Sequence, residues 1–345
     1  MESHHVISSL LDIIAKMDKE LGYIGPPENF SQENESSEIE ILGYCEEHST
    51  LTNFSYLDSS SRMITIKGVR VYMGSLFMSD PNFTLAIPQV IPTQFLALKA
   101  SSSVLENISR DNIISSYVKV TSPAGIPYDQ NYKDDNISDE LRISLENYAI
   151  SKSSSITIVD GPVIPGPNLT FLSEEYKSAF EKLINDRVNY FPTLIGVVKR
   201  LDMSYKLSKV KEFNQIIKKF SKIRPPDTKA IEIISQKGED PFITPILKEN
   251  WGSLVRYMVY VKVRNSVFRV ESTNLDILCK GVNTTIDRSG VRGIPDFIEI
   301  ADRISKRLSA SIFILSFILG SKIGVSYDDW GKFWEASEEI REHDI

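Results

Sequence analysis

Two β-prone apolar runs each stop at an aspartate. One is Phe54-Ser55-Tyr56-Leu57-Asp58, followed by Ser59-Ser60-Ser61-Arg62; the other is Thr157-Ile158-Val159-Asp160, followed by Gly161-Pro162. Such runs read as strands that end in a turn. A carboxylate at the tip of a rigid strand can hold a divalent cation, and two such strands side by side would make a hard-cation site. Sites of that kind drive phosphodiester hydrolysis. The two aspartates lie far apart in the chain, so the fold itself must bring them together. The plainer reading is turn chemistry alone, since Asp-Ser-Ser and Asp-Gly-Pro both suit turns.

Histidine is scarce, with His4, His5, His48 and His343 the full set. Ser-His-Asp, Cys-His and His-ligated zinc mechanisms therefore lose most of their candidates, and carboxylates, lysines and a metal must carry any chemistry. Cys45 and Cys279 have no metal-ligand spacing and read as small buried apolar residues of a reducing compartment. With 25% charged and 41% hydrophobic residues, the chain reads as soluble and globular. Its start has no signal-peptide pattern, which implies a cytoplasmic protein. The longest apolar run, Ala310 to Gly320, is too short to span a bilayer. A buried C-terminal helix and no membrane association are expected.

The net charge is −7, yet Lys199, Arg200, Lys206, Lys209, Lys211, Lys218, Lys219, Lys222 and Arg224 fall close together, against Asp202 and Glu212. Such a stripe suits a groove that tracks phosphates, with Lys199, Arg200, Lys206, Lys209, Lys218 and Lys219 as the DNA contacts. A solvated helix face is the alternative. Lys199 ends the apolar run Leu194–Val198, where it either meets a scissile phosphate or lies along apolar surface.

Apolar spacing predicts an N-terminal helix over 6–21, then a Pro/Asn/Ser/Glu-rich linker over 25–37. Hairpins are expected around Lys67-Gly68 and Arg264-Asn265, and a strand over 84–91. Arg269 and Glu271 share a strand face and suit an ion pair. Residues 101–136 read as a loop-rich insertion. Helices are predicted over 138–150, 172–188 with Ser173 as N-cap, and 295–308 with Pro295 at its start. Buried strands are predicted over 156–159 and 194–198. The implied division is 1–37 (helix and linker), 38–308 (catalytic domain with insertions) and 309–345 (helical extension).

This order implies an α/β fold with a mixed sheet flanked by helices, plus N- and C-terminal helical extensions. In a ribonuclease H-like arrangement, antiparallel strands come first, then a helix, then a parallel strand. Its carboxylates sit on the first strand, the first helix, the fourth strand and a late helix. Asp58, Glu146, Asp160 and Asp302 occupy those places. Glu140 rivals Glu146, and Arg303, Lys306 and Arg307 offer Asp302 ordinary ion pairs.

At these residues the chain resembles the NurA family of DNA-end-processing nucleases of archaea and bacteria. The carrying segments are Tyr56 to Arg62 with its hairpin, Arg142-Ile-Ser-Leu-Glu146, Ile158-Val-Asp160-Gly-Pro162, Leu194 to Arg200, Val267 to Glu271, and Gly293-Ile-Pro295 with Ala301-Asp302. Their order and spacing are more specific than any one of them. The resemblance implies a ribonuclease H-like homodimer that cuts DNA with manganese, magnesium being a substitute. It implies a hexameric HerA-type ATPase as partner in double-strand break resection. Asp58, Glu146 and Asp160 would be the metal-binding acids. Asp302 fits as a fourth metal carboxylate because its helix falls where that fold often puts one, and Lys199 is a catalytic candidate from its place after the Leu194–Val198 strand. Two ions about 4 Å apart would serve an in-line displacement. Some members carry a Tyr and a His where this chain has Ile294 and Asp302. That departure keeps a second reading open, a weakly active or inactive subunit docking on the ATPase.

Overall fold

The computed structural model describes residues 39–46, 49–88, 93–165, 174–221, 223–235, 240–251 and 254–341. The N-terminal helix and linker expected over 1–37, the Ser173 cap and Lys222 lie outside these residues. The chain divides into two compact units, Thr50–Val197 with Pro295–Ile345, and Met1–Ser49 with Val198–Ile294.

In the first unit, strands Phe54–Ile66 and Val69–Asp80 form a long antiparallel hairpin. Its turn residues Lys67 and Gly68 have φ of 49° and 80°. Two consecutive positive values are what a two-residue hairpin turn with the correct twist needs. The break expected after Asp58 does not occur. The strand continues through Ser59, Ser60, Ser61 and Arg62, each paired across to Val69–Asp80. The serines that suggested a turn instead bond to other elements: Ser59 to Glu146 at 2.6 Å and Ser60 to Ser309 at 3.2 Å. With those hydroxyls satisfied elsewhere, they no longer compete for the local backbone.

Strand Ile156–Asp160 pairs parallel to Phe54–Ile66, and Leu194–Val198 pairs parallel to Ile156–Asp160. Strands Phe83–Ile87 and Leu96–Lys99 pair antiparallel with Val69–Asp80. Antiparallel strands thus lie on one side of Phe54–Ile66 and parallel strands on the other. The result is a mixed α/β sheet flanked by helices, in the strand order expected above. The strand expected over 84–91 ends at Ile87, and 89–91 lie outside the described residues.

The stretch read as loop-rich contains the helix Ser102–Arg110 and a short strand, Val118–Lys119. That helix buries only Leu105, although Val104, Leu105 and Ile108 stand at helical spacing. Helix Asp134–Ile150 starts a turn earlier than expected, with Asp134 and Asp135 at its positive end. It packs so closely on the hairpin that a Cβ at Gly74 would sit 2.7 Å from Leu145 Cδ1. This approach fixes where Glu146, one residue further on, can reach.

Residues 296–321 form one helix, Asp296–Ser321, where two separate segments were expected. Residue 308 is an interior position of it. Its buried residues include Phe297, Ala301, Ser305, Ser309, Phe313 and Phe317, one per turn, a stripe that packs on the hairpin. Joined to its polar half, the apolar run is no longer short. Among the described helices this one is long and apolar enough to cross a membrane, with 33% of its apolar window buried.

The second unit contains the antiparallel strands Ile39–Gly43, Ile246–Trp251, Leu254–Val263 and Ser266–Ser272. The hairpin around Arg264-Asn265 forms as expected. Leu207, Val210, Phe213, Ile217 and Tyr260 belong to its core. Beside that core runs a chain of charges: Lys206 to Glu249 at 2.6 Å, Glu249 to Arg256, Arg256 to Glu271 at 3.7 Å, and Arg269 to Glu271 at 2.8 Å. The expected Arg269–Glu271 pair is its last link. Cys45 and Cys279 are joined in a disulfide, which overturns their reading as reduced thiols. Their separation of 234 residues leaves no local spacing signal.

Candidate metal centre

The parallel register sets Leu57 opposite Val159, which brings Asp58 beside Asp160 on adjacent strands. Helix Asp296–Ser321 adds Asp302. One carboxylate oxygen from each of Asp58, Asp160 and Asp302 lies within 4.8 Å of the others. Asp160 ends its strand, and Gly161 follows with φ 139°, so the chain turns away directly after the carboxylate.

Asp58 is 6% exposed. Burial, followed by the charges of Asp160, Asp302 and Glu146, pushes its carboxyl up to about 7, while a hydrogen bond from Ser305 pulls the other way. The cause is general: a desolvated carboxylate beside like charges resists ionisation until a cation compensates. All donors in the group are oxygens, and the group holds no imidazole or thiolate. That set fits a hard divalent ion such as manganese or magnesium.

Ser305 Oγ donates to Asp58 Oδ2 at 2.6 Å. Ser305 stands one helical turn after Asp302, a spacing visible in sequence, but only the fold aims it at Asp58. Asp302 also pairs with Lys306 at 2.8 Å, one of the ion pairs its neighbours offered.

Glu146 stands outside the group of three. Its Oε1 accepts from Ser59 at 2.6 Å, and its Oε2 accepts from Arg187 at 2.7 Å. Arg187 is fully buried and also donates from Nε to Asn147 at 2.6 Å. Sequence reasoning missed Arg187, although it falls at helical spacing on the stripe of Phe180, Leu183 and Ile184, because an arginine is ordinarily expected at the surface. The rival Glu140 is held by Tyr128 and Tyr132 at 2.8 and 2.6 Å, and burial pushes it up to about 7.

The basic candidates belong to the other unit. Lys199 is half-buried and Arg200 exposed. Lys206 pairs with Glu249, and burial brings its ammonium down to about 8. Lys209 is half-buried. Lys218 and Lys219 are exposed on the last turn of helix Lys211–Phe220.

The NurA domain profile matches residues 57–307. Among solved structures, the chain is similar to the NurA nuclease from Sulfolobus solfataricus at 12% identity, over 83% of this chain and 86% of that one, with a TM-score of 0.46. It is also similar to a NurA bound to dAMP and manganese, at 8% identity over 76% and 85%, with a TM-score of 0.36. No curated protein matches the chain. The profile runs from the residue before Asp58 to beyond Asp302 and takes in well over half of the sequence, and the chain therefore belongs to the NurA family.

Proposed function

We propose that this chain is a metal-dependent DNA nuclease that hydrolyses phosphodiester bonds, using manganese or, in its place, magnesium. The observation that carries this reading is the set of Asp58, Asp160 and Asp302 oxygens within 4.8 Å of one another, in a member of the NurA family. When bound, the divalent ions would polarise the phosphate and lower the pKa of the attacking water. Asp58 and Asp160 are assigned as the central ligands, with Asp302 beside them. Glu146 is assigned to support the centre, since its charge already acts on Asp58. Lys199, directly after the apolar run Leu194–Val198, is assigned to the scissile phosphate.

Arg200, Lys209, Lys218 and Lys219 are assigned to the DNA backbone, which gives affinity with little sequence preference. A role in break-end resection, a homodimer and a HerA-type ATPase partner follow from the family resemblance. Exposed Leu315, Ile318, Leu319, Trp330 and Trp334 on the two C-terminal helices offer apolar surface for such contacts. A DNA substrate assigns the protein to the cytoplasm.

The test is cleavage of single-stranded DNA and of duplex ends with Mn²⁺, against Ca²⁺ and EDTA, with an RNA strand in parallel. Asp58→Ala and Asp160→Ala should each abolish cutting and leave the fold intact by circular dichroism. Cutting at the wild-type rate by Asp160→Ala would put the chemistry elsewhere. DNA binding without cutting under any divalent ion would leave an adaptor subunit instead.

A further inference from the structure

Beside helix Lys211–Phe220 lies a cavity of about 220 Å³ whose walls include Ser208, Asn214, Ile217, Lys218, Ile223 and Arg224. No carboxylate lines it among the described residues. On a chain of net charge −7, a recess with two cations and no acid is a local reversal of sign. Its polar groups are hydrogen-bond donors of the kinds that recognise phosphate: an ammonium, a guanidinium, an amide and a hydroxyl.

Two details make it more than a basic surface. The Ser208 hydroxyl is buried and has no hydrogen-bond partner. An orphaned buried hydroxyl costs stability and calls for an explanation such as an absent ligand. Arg224 is also pre-positioned: its Nη2 donates to the Tyr205 carbonyl at 2.7 Å, and its guanidinium faces the Tyr205 ring at 5.9 Å. A fixed guanidinium loses little freedom on binding. The cavity lies near the negative end of the helix, but Lys218 and Lys219 in that last turn offset the half-charge. Ile217 and Ile223 supply apolar wall, against which a sugar can rest.

We infer that this cavity is a phosphate-binding subsite, and that its occupant is a backbone phosphate of the DNA strand. The inference rests on the DNA-nuclease reading for its occupant and adds a discrete anchor to it. A free phosphate or mononucleotide presents the same chemistry, and the experiment separates the two sources.

The experiment uses the full chain in EDTA, so that no cutting occurs. Affinity for a labelled single-stranded oligonucleotide is measured by fluorescence anisotropy over a range of salt. Binding of inorganic phosphate and of dAMP is measured by calorimetry. The variants are Lys218→Ala, Ser208→Ala and Asn214→Leu, with Lys229→Ala as a control outside the cavity walls. Circular dichroism confirms that each is folded. Lys218→Ala should weaken oligonucleotide binding about 3- to 10-fold and reduce the salt slope by about 1. Asn214→Leu should weaken it without that change in slope, and Lys229→Ala should leave it unaltered. Loss of phosphate or dAMP binding in the cavity variants, with oligonucleotide affinity unchanged, would keep the phosphate site but overturn the backbone as its occupant. Unchanged binding of all three probes in every variant would overturn the site. Mn²⁺-dependent cutting by wild type is scored separately, so failure of the subsite and failure of the nuclease reading give different results.

Discussion

Ser305 and Asp58 are 247 residues apart in sequence, and the hydroxyl of the first donates to Oδ2 of the second at 2.6 Å. The bond holds one oxygen of Asp58 and so aims the other. Hydrogen bonds of this kind to metal ligands are worth about 10- to 100-fold in metal affinity. Ser305→Ala should therefore weaken Mn²⁺ binding about 10-fold by calorimetry, and Ser305→Thr should retain most of it. Equal affinity in all three proteins would remove Ser305 from the centre.

The metal-free centre should oppose folding at neutral pH. Burial and the neighbouring acids hold Asp58 at about 7 in the folded chain, above its ordinary 3.8. A raised carboxyl contributes stability below its unfolded value, and that contribution is lost as pH rises towards 7. In EDTA, Asp58→Asn should raise Tm at pH 7 by on the order of a few degrees, and the gain should shrink towards pH 4. Scanning calorimetry at both pH values checks this; a lower Tm for Asp58→Asn at pH 7 would contradict it.

Arg187 is a buried cation whose guanidinium meets the Glu146 carboxylate. Removing one member of such a pair strands the other charge, at a cost of about 3–5 kcal/mol, whereas replacing both by apolar groups is far milder. Urea denaturation should show Arg187→Met strongly destabilised and Arg187→Met with Glu146→Leu largely recovered. A double variant as unstable as the sum of the single ones would show that the pair acts in no such unit.

Acid should loosen the second unit through Glu249. Burial pushes this carboxyl up, but Arg256 and Lys206 outweigh it and hold it down at about 2, against an ordinary 4.5. A depressed carboxyl stabilises above its unfolded value and loses that contribution as pH falls from about 4.5 to about 2. Wild-type Tm should drop more steeply than that of Glu249→Gln through this window. Parallel slopes would mean that other groups dominate acid unfolding.

Local sequence determined the elements whose cause is local. Lys67-Gly68 and Arg264-Asn265 sit between β-prone runs and form their hairpins, because the positive φ taken by Lys67, Gly68 and Arg264 is a turn property. Asp58 and Asp160 were legible as a pair because each closes an apolar run on a strand. The tertiary structure decided what depends on residues far apart. It kept Asp58 inside a continuous strand, since the serines after it bond to Glu146 and Ser309. It put Asp302 into the acid group and tied Glu146 to Arg187. It joined Cys45 to Cys279 across 234 residues. A carboxylate's role is set by which charges and donors surround it once water is removed, and in this chain those neighbours come from segments that only folding brings together.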